Sequence, residues 1–581
     1  MEQVNHQMEL TIKAGITDSR LLTHRGYAIR KDCLGPAETA AMKRALTMTP
    51  RSAPDYPGGD PFPIFFESPA CWYVPRFWGI DTFGAPESDI RSRGEPLRPE
   101  LRFIKELREN QLPIVEAYRN GGDCEALNRR GSGGESGTGC RSGASGSSGA
   151  AAGDSNGLIC VPCGFGKTFM AIHEAIRIGG CFLIFVHQEF LADQWTAELE
   201  AAVPGIRVGR VQGNLCQTGA IDPPKFTVTE IKAKIKALDP TIKLGNKKRD
   251  ELLPILYSVA PEYDPAKNSY DCAVCLIQTI VSRPWAKDTF TRFRFSIWDE
   301  CHHLGAAHFC KALMVVQTMY SLGLSATPQR ADGLEDIFKM FLGPVRYQIS
   351  VREPDRSVEV RVIKYHSADP AYATVPYDFR GKVNRARLCN QIAECTHRTQ
   401  HSCDELEPSL REGRKLLILS DRREHLAEFE RILRGKGFDS IGYYVGGMSS
   451  EARQESAKER IILATYTLAA EGMNIRDLDS ILQATSHSNI EQAVGRIFRL
   501  LKEERRFAPI IWDMNDVNIP CLAGQLRKRV AFYRKCDYTF MNRVSCGKWT
   551  GGALFPVADD EDEDEDEENG VDEILGWAGT S

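Results

Sequence analysis

The chain has 581 residues, 42% of them apolar and 26% charged, with a formal net charge of −5. That length exceeds a single hydrophobic core and predicts about three or four domains; the composition is that of a soluble globular protein and leaves only local segments as candidates for disorder. The charge is unevenly placed: "DDEDEDEDEENGVDE" (559–573) holds twelve acidic residues, and without it 73 basic residues face 66 acidic ones, a body of +7 that is compatible with a polyanionic partner.

No apolar run approaches the roughly 18 residues needed to cross a bilayer, and "MEQVNHQMELTIKAG" lacks the regions of a signal peptide. The expectation is an intracellular soluble protein of nucleus or cytoplasm (of a host cell, if viral), not a secreted one. The eighteen cysteines are scattered over the chain, and in a reducing compartment they read as buried thiols.

In chain order, residues 1–95 show no repeat and no physically readable motif, and are taken as an N-terminal accessory region. "GSGGESGTGCRSGASGSSGAAAGDSNG" (131–157) is too poor in apolar side chains to order and predicts a flexible loop inside a domain. Strands are expected at "LICVPC" (158–163), "CFLIFV" (181–186), "CAVCLIQT" (272–279), "FRFSIW" (293–298) and "YSLGLSA" (320–326), with amphipathic helices such as "FMAIHEAIRI" between some of them. Strands alternating with helices specify a parallel sheet. The lysine-bearing stretch within 214–270 is longer than a crossover requires and reads as an insertion. The pattern restarts at "RKLLILS" (414–420), "ERIILAT" (459–465) and "DSILQAT" (479–485), so a second α/β domain follows.

"VPCGFGKTF" (161–169) lies between an expected strand and a helix, the setting of a phosphate-binding loop. Gly164 and Gly166 let the backbone approach closely, so that Pro162, Cys163, Gly164, Phe165, Gly166, Lys167 and Thr168 can cradle phosphates, with Lys167 reaching the β and γ groups and the Thr168 hydroxyl ligating magnesium. Val161 stands where the general pattern has its first glycine. Downstream, "FSIWDECHHLGAAHFC" (295–310) presents Asp299 and Glu300 at the end of an apolar strand, where open parallel sheets bind ligands. Asp299 would hold the magnesium ion and Glu300 would orient or deprotonate the attacking water. In "IEQAVGRIFRL" (490–500), Arg496 and Arg499 share one face if helical, and their charge would stabilise the transition state.

The conspicuous Cys301, His302, His303, His308 and Cys310, with the pairs Cys160/Cys163 and Cys272/Cys275, raise zinc as a rival. Each pair straddles an expected strand or the phosphate loop, and on a strand the first and last of four residues face opposite sides. Buried thiols are the simpler reading.

Taken together these blocks resemble superfamily two helicases: "VPCGFGKT" is similar to motif I, "FVHQEFLADQW" (185–195) to Ia, "LIQT" (276–279) to Ib, "DECH" (299–302) to II, "SAT" (325–327) to III, "ILATYTLAAEGMNI" (462–475) to V and "QAVGRIFR" (492–499) to VI. "LGLSATPQRADGL" (322–334) and "LRENQ" (107–111) resemble the group of the xeroderma pigmentosum group B helicase and phage recombination helicases; "YVPRFWGIDTFG" (73–84) and "QLRKRVAFYRK" (525–535) look more like helicases of large nucleocytoplasmic DNA viruses, among them the poxvirus transcript-release helicase. The resemblance spans roughly residues 73 to 540. It implies an α/β fold of two RecA-like parallel-sheet domains in tandem, 96–350 and 351–550, flanked by the N-terminal region and a disordered acidic tail, 551–581. It further implies ATP and Mg2+ as cofactors, hydrolysis where the two domains close, and Gln111 as an adenine contact. Gln492, Arg496 and Arg499 act in motif VI. His302, Ser325, Ala326 and Thr327 couple hydrolysis to movement, while Gln194, Thr279, Arg422, Thr465 and Gly472 touch the sugar-phosphate backbone. "DECH" and "QAVGRIFR" favour DNA over the RNA substrates of DEAD-box enzymes. The alternatives are an RNA-dependent helicase and a nucleotide-binding scaffold of a transcription complex without turnover.

Overall fold

The computed structural model describes residues 19–50, 59–120, 155–162, 164–221, 226–260, 268–286, 288–326, 333–349, 354–379, 381–473, 475–487, 490–500, 502–543 and 549–551. Cys163, Thr327, the loop expected at 131–157 up to residue 154, and the acidic tail beyond residue 551 lie outside them. Two compact units comprise Met1–Arg352 with Ala470–Asn474, and Glu353–Ala469 with Ile475–Ser581.

The first unit is built on an eight-stranded sheet in the order Leu215–Cys216, Val208–Gln212, Cys272–Leu276, Phe182–Val186, Phe295–Trp298, Tyr320–Ser325, Asn156–Cys160, Val345–Gln348. Every pairing is parallel except the first, a hairpin at the edge. The central strands are mostly apolar and wholly buried because both faces are covered, as parallel sheets require. Along one strand Phe182 and Ile184 enter one core while Leu183 and Phe185 enter the other, and Phe185 stacks on Trp298 with ring centroids 3.9 Å apart. Cys272 and Cys275 divide in the same way between the two cores.

Three boundaries differ from expectation. The supposed loop 131–157 overruns into a strand that begins at Asn156, whose buried amide accepts hydrogen bonds from Arg76 and Ser321; a polar residue satisfied inside the sheet carries no apolar signal. The strand expected over 272–279 stops at Leu276, and Ile277–Ser282 is a helix, because a short apolar run fits either state. The insertion expected at 214–270 is narrower, since 215–221 returns along the sheet edge with Ile221 N–H on Asn268 O at 2.8 Å and Tyr270 N–H on Gly219 O at 3.1 Å. The helices Val228–Leu238 and Arg249–Val259 then close a small core of their own around Ile231, Ile235, Leu252 and Leu256.

Within residues 19–95 lies a five-stranded sheet, ordered Phe66–Glu67, Cys71–Val74, Gly26–Arg30, Arg20–Thr23, Ser88–Asp89. Its Leu22, Tyr27, Ile29, Trp72 and Val74 join a core of the first unit, and Arg76 and Arg91 bond the Met319 carbonyl, so the region is packed onto that eight-stranded sheet.

The second unit holds another eight-stranded sheet, ordered Ile441–Tyr444, Ile461–Ala464, Leu416–Leu419, Ser480–Gln483, Ile510–Asp516, Glu359–Tyr365, Thr539–Arg543, Trp549–Gly551, parallel except for the last pairing. Two arginines cross its interior. Arg398 forms a bidentate pair with Asp516 at 2.6 and 2.9 Å, and Arg529 one with Asp513 at 2.8 Å on both arms. Among the described residues no helix is long and apolar enough to cross a membrane.

A buried carboxylate anchors the first unit's Lys167–Ile178 helix. Glu174 accepts from Arg119 at 2.6 Å and Arg177 at 2.6 Å, with His173 Nδ1 at 3.1 Å. Burial pushes its carboxyl up, but the hydrogen bonds from His173 and Arg119 and the charge of Arg177 together outweigh this and lower it from 4.5 to about 2. The ionised form therefore stabilises the fold above the unfolded value near 4.5, and that contribution is lost as pH falls through about 2. In urea titrations the stability gap between wild type and Glu174→Gln should be widest above pH 4.5 and narrow by about 3 kcal/mol or less toward pH 2; a gap independent of pH would contradict the assignment.

Candidate active site

Three neighbouring strands bring the site together, because their carboxyl ends share one rim of the sheet. Phe295–Trp298 pairs with Tyr320–Ser325, which pairs with Asn156–Cys160. The first leads into Asp299 and Glu300, the second ends in Ser325, and the third opens the phosphate-type loop.

That loop turns into the helix Lys167–Ile178 through Gly166, whose φ of 75° and ψ of 41° are left-handed and favour glycine. A side chain there would also strike the amide of Gln111. Gln111 is buried, its Nε2 donating to Phe165 O at 2.6 Å and its Oε1 accepting from the Arg108 N–H at 2.9 Å. Expected as an adenine contact, Gln111 holds the loop's shape through both ends of its amide. Pro162, Gly164, Phe165, Lys167 and Thr168 are half-buried around the loop and the first turn of the helix.

Lys167 Nζ lies 3.3 Å from Glu300 Oε1. Asp299 is fixed by two donors, the Trp195 indole N–H on Oδ2 at 2.8 Å and the Glu300 N–H on Oδ1 at 3.0 Å. Glu300 adopts φ 44° and ψ 51°, a left-handed conformation found among the described non-glycine residues only here and at Asp537. Strain of this kind costs roughly 1–3 kcal/mol and persists where its surroundings impose it. His302 Nδ1 is 3.1 Å from Ser325 Oγ and 3.5 Å from Glu300 Oε2. His303 stacks between His187 and His302, at 4.2 and 4.3 Å.

The two adjacent carboxyls are driven apart. Burial opposes ionisation of Glu300, but the charge of Lys167, then that of His302, prevails and lowers it to about 2. Asp299 is raised, first by burial and then by the charge of Glu300, against the pull of Lys167. Glu300 Oε2 is buried with no hydrogen-bond partner, an acceptor suited to a water or a substrate hydrogen. Among the described residues no three His, Cys, Asp or Glu side chains converge as a metal cage. Asp299 and Thr168 are a donor set of a different kind, matching magnesium, which takes one or two protein ligands and completes its shell with water and phosphate oxygens.

In the second unit, Gln492 lies half-buried in the short helix Glu491–Val494, which tightens into a 3-10 turn over Gly495–Phe498. Three residues per turn leave Arg496 and Arg499 on one side although the α-helix has ended. Their charges, with that of Arg453, act on Tyr444, whose hydroxyl burial nonetheless raises. Arg453 carried no motif signal.

The residues expected at a nucleic-acid backbone are more varied. Gln194 donates to Glu198 one helical turn away, at 2.7 Å. Thr279 is buried and its hydroxyl accepts the Gly213 N–H at 3.0 Å, a structural role that its apolar helix conceals in sequence. Arg422 bonds Asn390 Oδ1 at 2.5 Å, Asp421 O at 3.2 Å and Ala386 O at 3.2 Å. Thr465 is half-buried just before the helix Tyr466–Gly472, and Gly472 ends that helix; Ala326 is half-buried after Ser325. Trp195 is the functional-site residue that sequence reasoning missed, its indole reading as core filling within an amphipathic helix.

Residues 104–330 match the family described as type III restriction enzyme, res subunit. Protein L396 of Acanthamoeba polyphaga mimivirus, provisionally named an ATP-dependent RNA helicase, is 24% identical over 529 residues, 89% of this chain and 85% of that protein. Protein QP509L of African swine fever virus, provisionally given the same name, is 25% identical over 395 residues, covering 64% of this chain and 68% of its own length. Helicase D10 of Escherichia phage T5, also provisionally named, is 24% identical over 361 residues, 60% of this chain and 66% of its own. The nucleotide-type loop, the paired carboxylates and this set of relatives support a viral-type superfamily two helicase.

Proposed function

We propose that the protein is an ATP-driven motor that moves along DNA and separates or remodels its strands. The observation that carries this reading is Lys167 paired with Glu300 beside a half-buried Asp299, at the carboxyl rim near the start of the helix Lys167–Ile178. In it, the loop N–H groups and Lys167 hold the β and γ phosphates of ATP, and Thr168 and Asp299 hold magnesium. Magnesium, when bound with ATP, supplies positive charge at the phosphate oxygens. Glu300, held ionised, accepts a hydrogen bond from the attacking water and orients it. Trp195 keeps Asp299 in one orientation. The His302–Ser325 bond links the carboxylate strand to its neighbour, a route by which hydrolysis reaches the remainder of the motor.

DNA is favoured by "DECH" and "QAVGRIFR". RNA is the second reading, because L396 and QP509L both bear names of RNA helicases.

Lys167→Ala and Glu300→Gln should each lower ATP turnover by roughly 10²-fold or more, with Glu300→Gln still binding nucleotide; turnover near wild type in either would remove the basis of the reading. Trp195→Phe keeps an aromatic ring but deletes the donor to Asp299. It should raise the magnesium concentration needed for half-maximal ATPase by about 10- to 100-fold. DNA should stimulate the ATPase more than RNA of equal length, with binding that weakens linearly on a log–log plot against salt. Stronger stimulation by RNA would transfer the assignment to the second reading.

A further inference from the structure

The helices Val228–Leu238 and Arg249–Val259 form a module of their own. Ile231 and Ile235, one turn apart on the first helix, meet Leu252 and Leu256, one turn apart on the second, and Leu244 of the connection closes the core between them. No residue of this module enters either core flanking the eight-stranded sheet, so the packing of that sheet does not account for it. The chain leaves and re-enters the sheet edge at one point, where the Ile221 N–H donates to Asn268 O at 2.8 Å.

The module's charges are sorted. Residues 226–260 carry six lysines and one arginine against four acids. Three of those acids are committed to local backbone: Glu230 accepts the Thr227 N–H at 2.7 Å, Asp239 the Thr241 N–H at 2.9 Å and Glu251 the Lys248 N–H at 2.8 Å. The fourth, Asp250, sits in the first turn of the second helix. The lysines gather instead at the connection between the helices. Lys232 Nζ donates to Gly245 O at 2.7 Å and Lys236 Nζ to Pro240 O at 2.8 Å, which brings both ammonium groups to the segment that already holds Lys243, Lys247 and Lys248. No ion pair among the described residues engages any of these five, and an ammonium bonded to one carbonyl keeps its charge and two further donors. Gly245 turns the connection with a left-handed φ of 50°, and Lys243 and Lys248 are exposed on either side of it. Five cations about one short connection make a local positive field suited to a polyanion. No aromatic side chain lies between residues 227 and 249, so the connection offers no ring on which an unpaired base could stack. What it offers is charge for a sugar-phosphate backbone, which a duplex presents densely and regardless of sequence.

We propose that this helical module is a duplex-DNA contact separate from the candidate active site, with Lys243, Lys247 and Lys248 at the phosphates and Lys232 and Lys236 adding charge behind them. This rests on the reading of the protein as a nucleic-acid motor. The test uses the full-length protein with a fluorescein-labelled duplex of mixed sequence and an oligo(dT) carrying the same number of phosphates, read by anisotropy across a salt series. The combined variant Lys243→Ala, Lys247→Ala, Lys248→Ala should weaken duplex binding by about tenfold or more and lower the log–log salt slope by about 2 to 3, with a smaller loss on oligo(dT). Replacing the same three lysines by arginine should retain affinity and slope. Lys243→Glu, a single exposed change, should weaken duplex binding more than Lys243→Ala does. ATP turnover without DNA and the melting temperature should match wild type in all of these variants, since none of the three lysines enters the module's core. Wild-type duplex affinity and slope in the triple alanine variant would overturn the contact, in favour of a protein partner, and leave the motor reading standing. An equal loss in the arginine variant would overturn it by tracing the effect to the fold instead of to charge. A larger loss on oligo(dT) than on the duplex would overturn the duplex assignment. Wild-type protein that binds neither ligand and whose ATPase neither stimulates would overturn both this contact and the motor reading.

Discussion

A parallel strand covered on both faces can carry polar chemistry only beyond its end, and much of this protein follows from that constraint. Phe295–Trp298 is wholly buried, and the two carboxylates come in the next two positions. Asn156–Cys160 is wholly buried, and the loop leading to Lys167 comes next. Because the strands are parallel and in register, those endings collect on one rim, and a lysine and a glutamate far apart in sequence meet at 3.3 Å. The low dielectric behind the rim then separates two adjacent carboxyls into one kept ionised and one made harder to ionise.

The second sheet obeys the same rule with different means. Its carboxyl rim is stitched by the Arg398–Asp516 and Arg529–Asp513 pairs, with Arg398 also reaching Ala484 O at 2.8 Å and Arg529 reaching His487 O at 2.9 Å. Removing one partner of such a pair leaves a buried charge uncompensated, which typically costs about 3–5 kcal/mol. The segment after Ser480–Gln483 is thereby held, and its His487 Nε2 lies 2.7 Å from Asp421 Oδ2 in the loop after Leu416–Leu419.

Much of this was legible in the sequence, and the exceptions have physical reasons. Strands buried on both faces announce themselves as apolar runs, so the segments at 182–186, 295–298, 416–419 and 461–464 were readable, as was the loop before Lys167 from its glycines and its place between strand and helix. Trp195 was not, since one indole nitrogen turned to Asp299 looks in sequence like any buried tryptophan. Thr279 and Arg422 carried a family pattern, but whether a hydroxyl or guanidinium meets a ligand or its own protein depends on what the fold places beside it; here these are Gly213 and Asn390. Asn156 hid a strand start for the same reason, its partners Arg76 and Ser321 being remote in the chain.

The left-handed backbone of Glu300 has an evolutionary edge. Glycine at that position would adopt the same φ and ψ without strain, so the substitution that most relaxes this turn also deletes the carboxylate. Selection for stability alone would therefore favour loss of the carboxylate that pairs with Lys167. The acid at residue 300 is thus a point at which this chain departs from its least strained backbone.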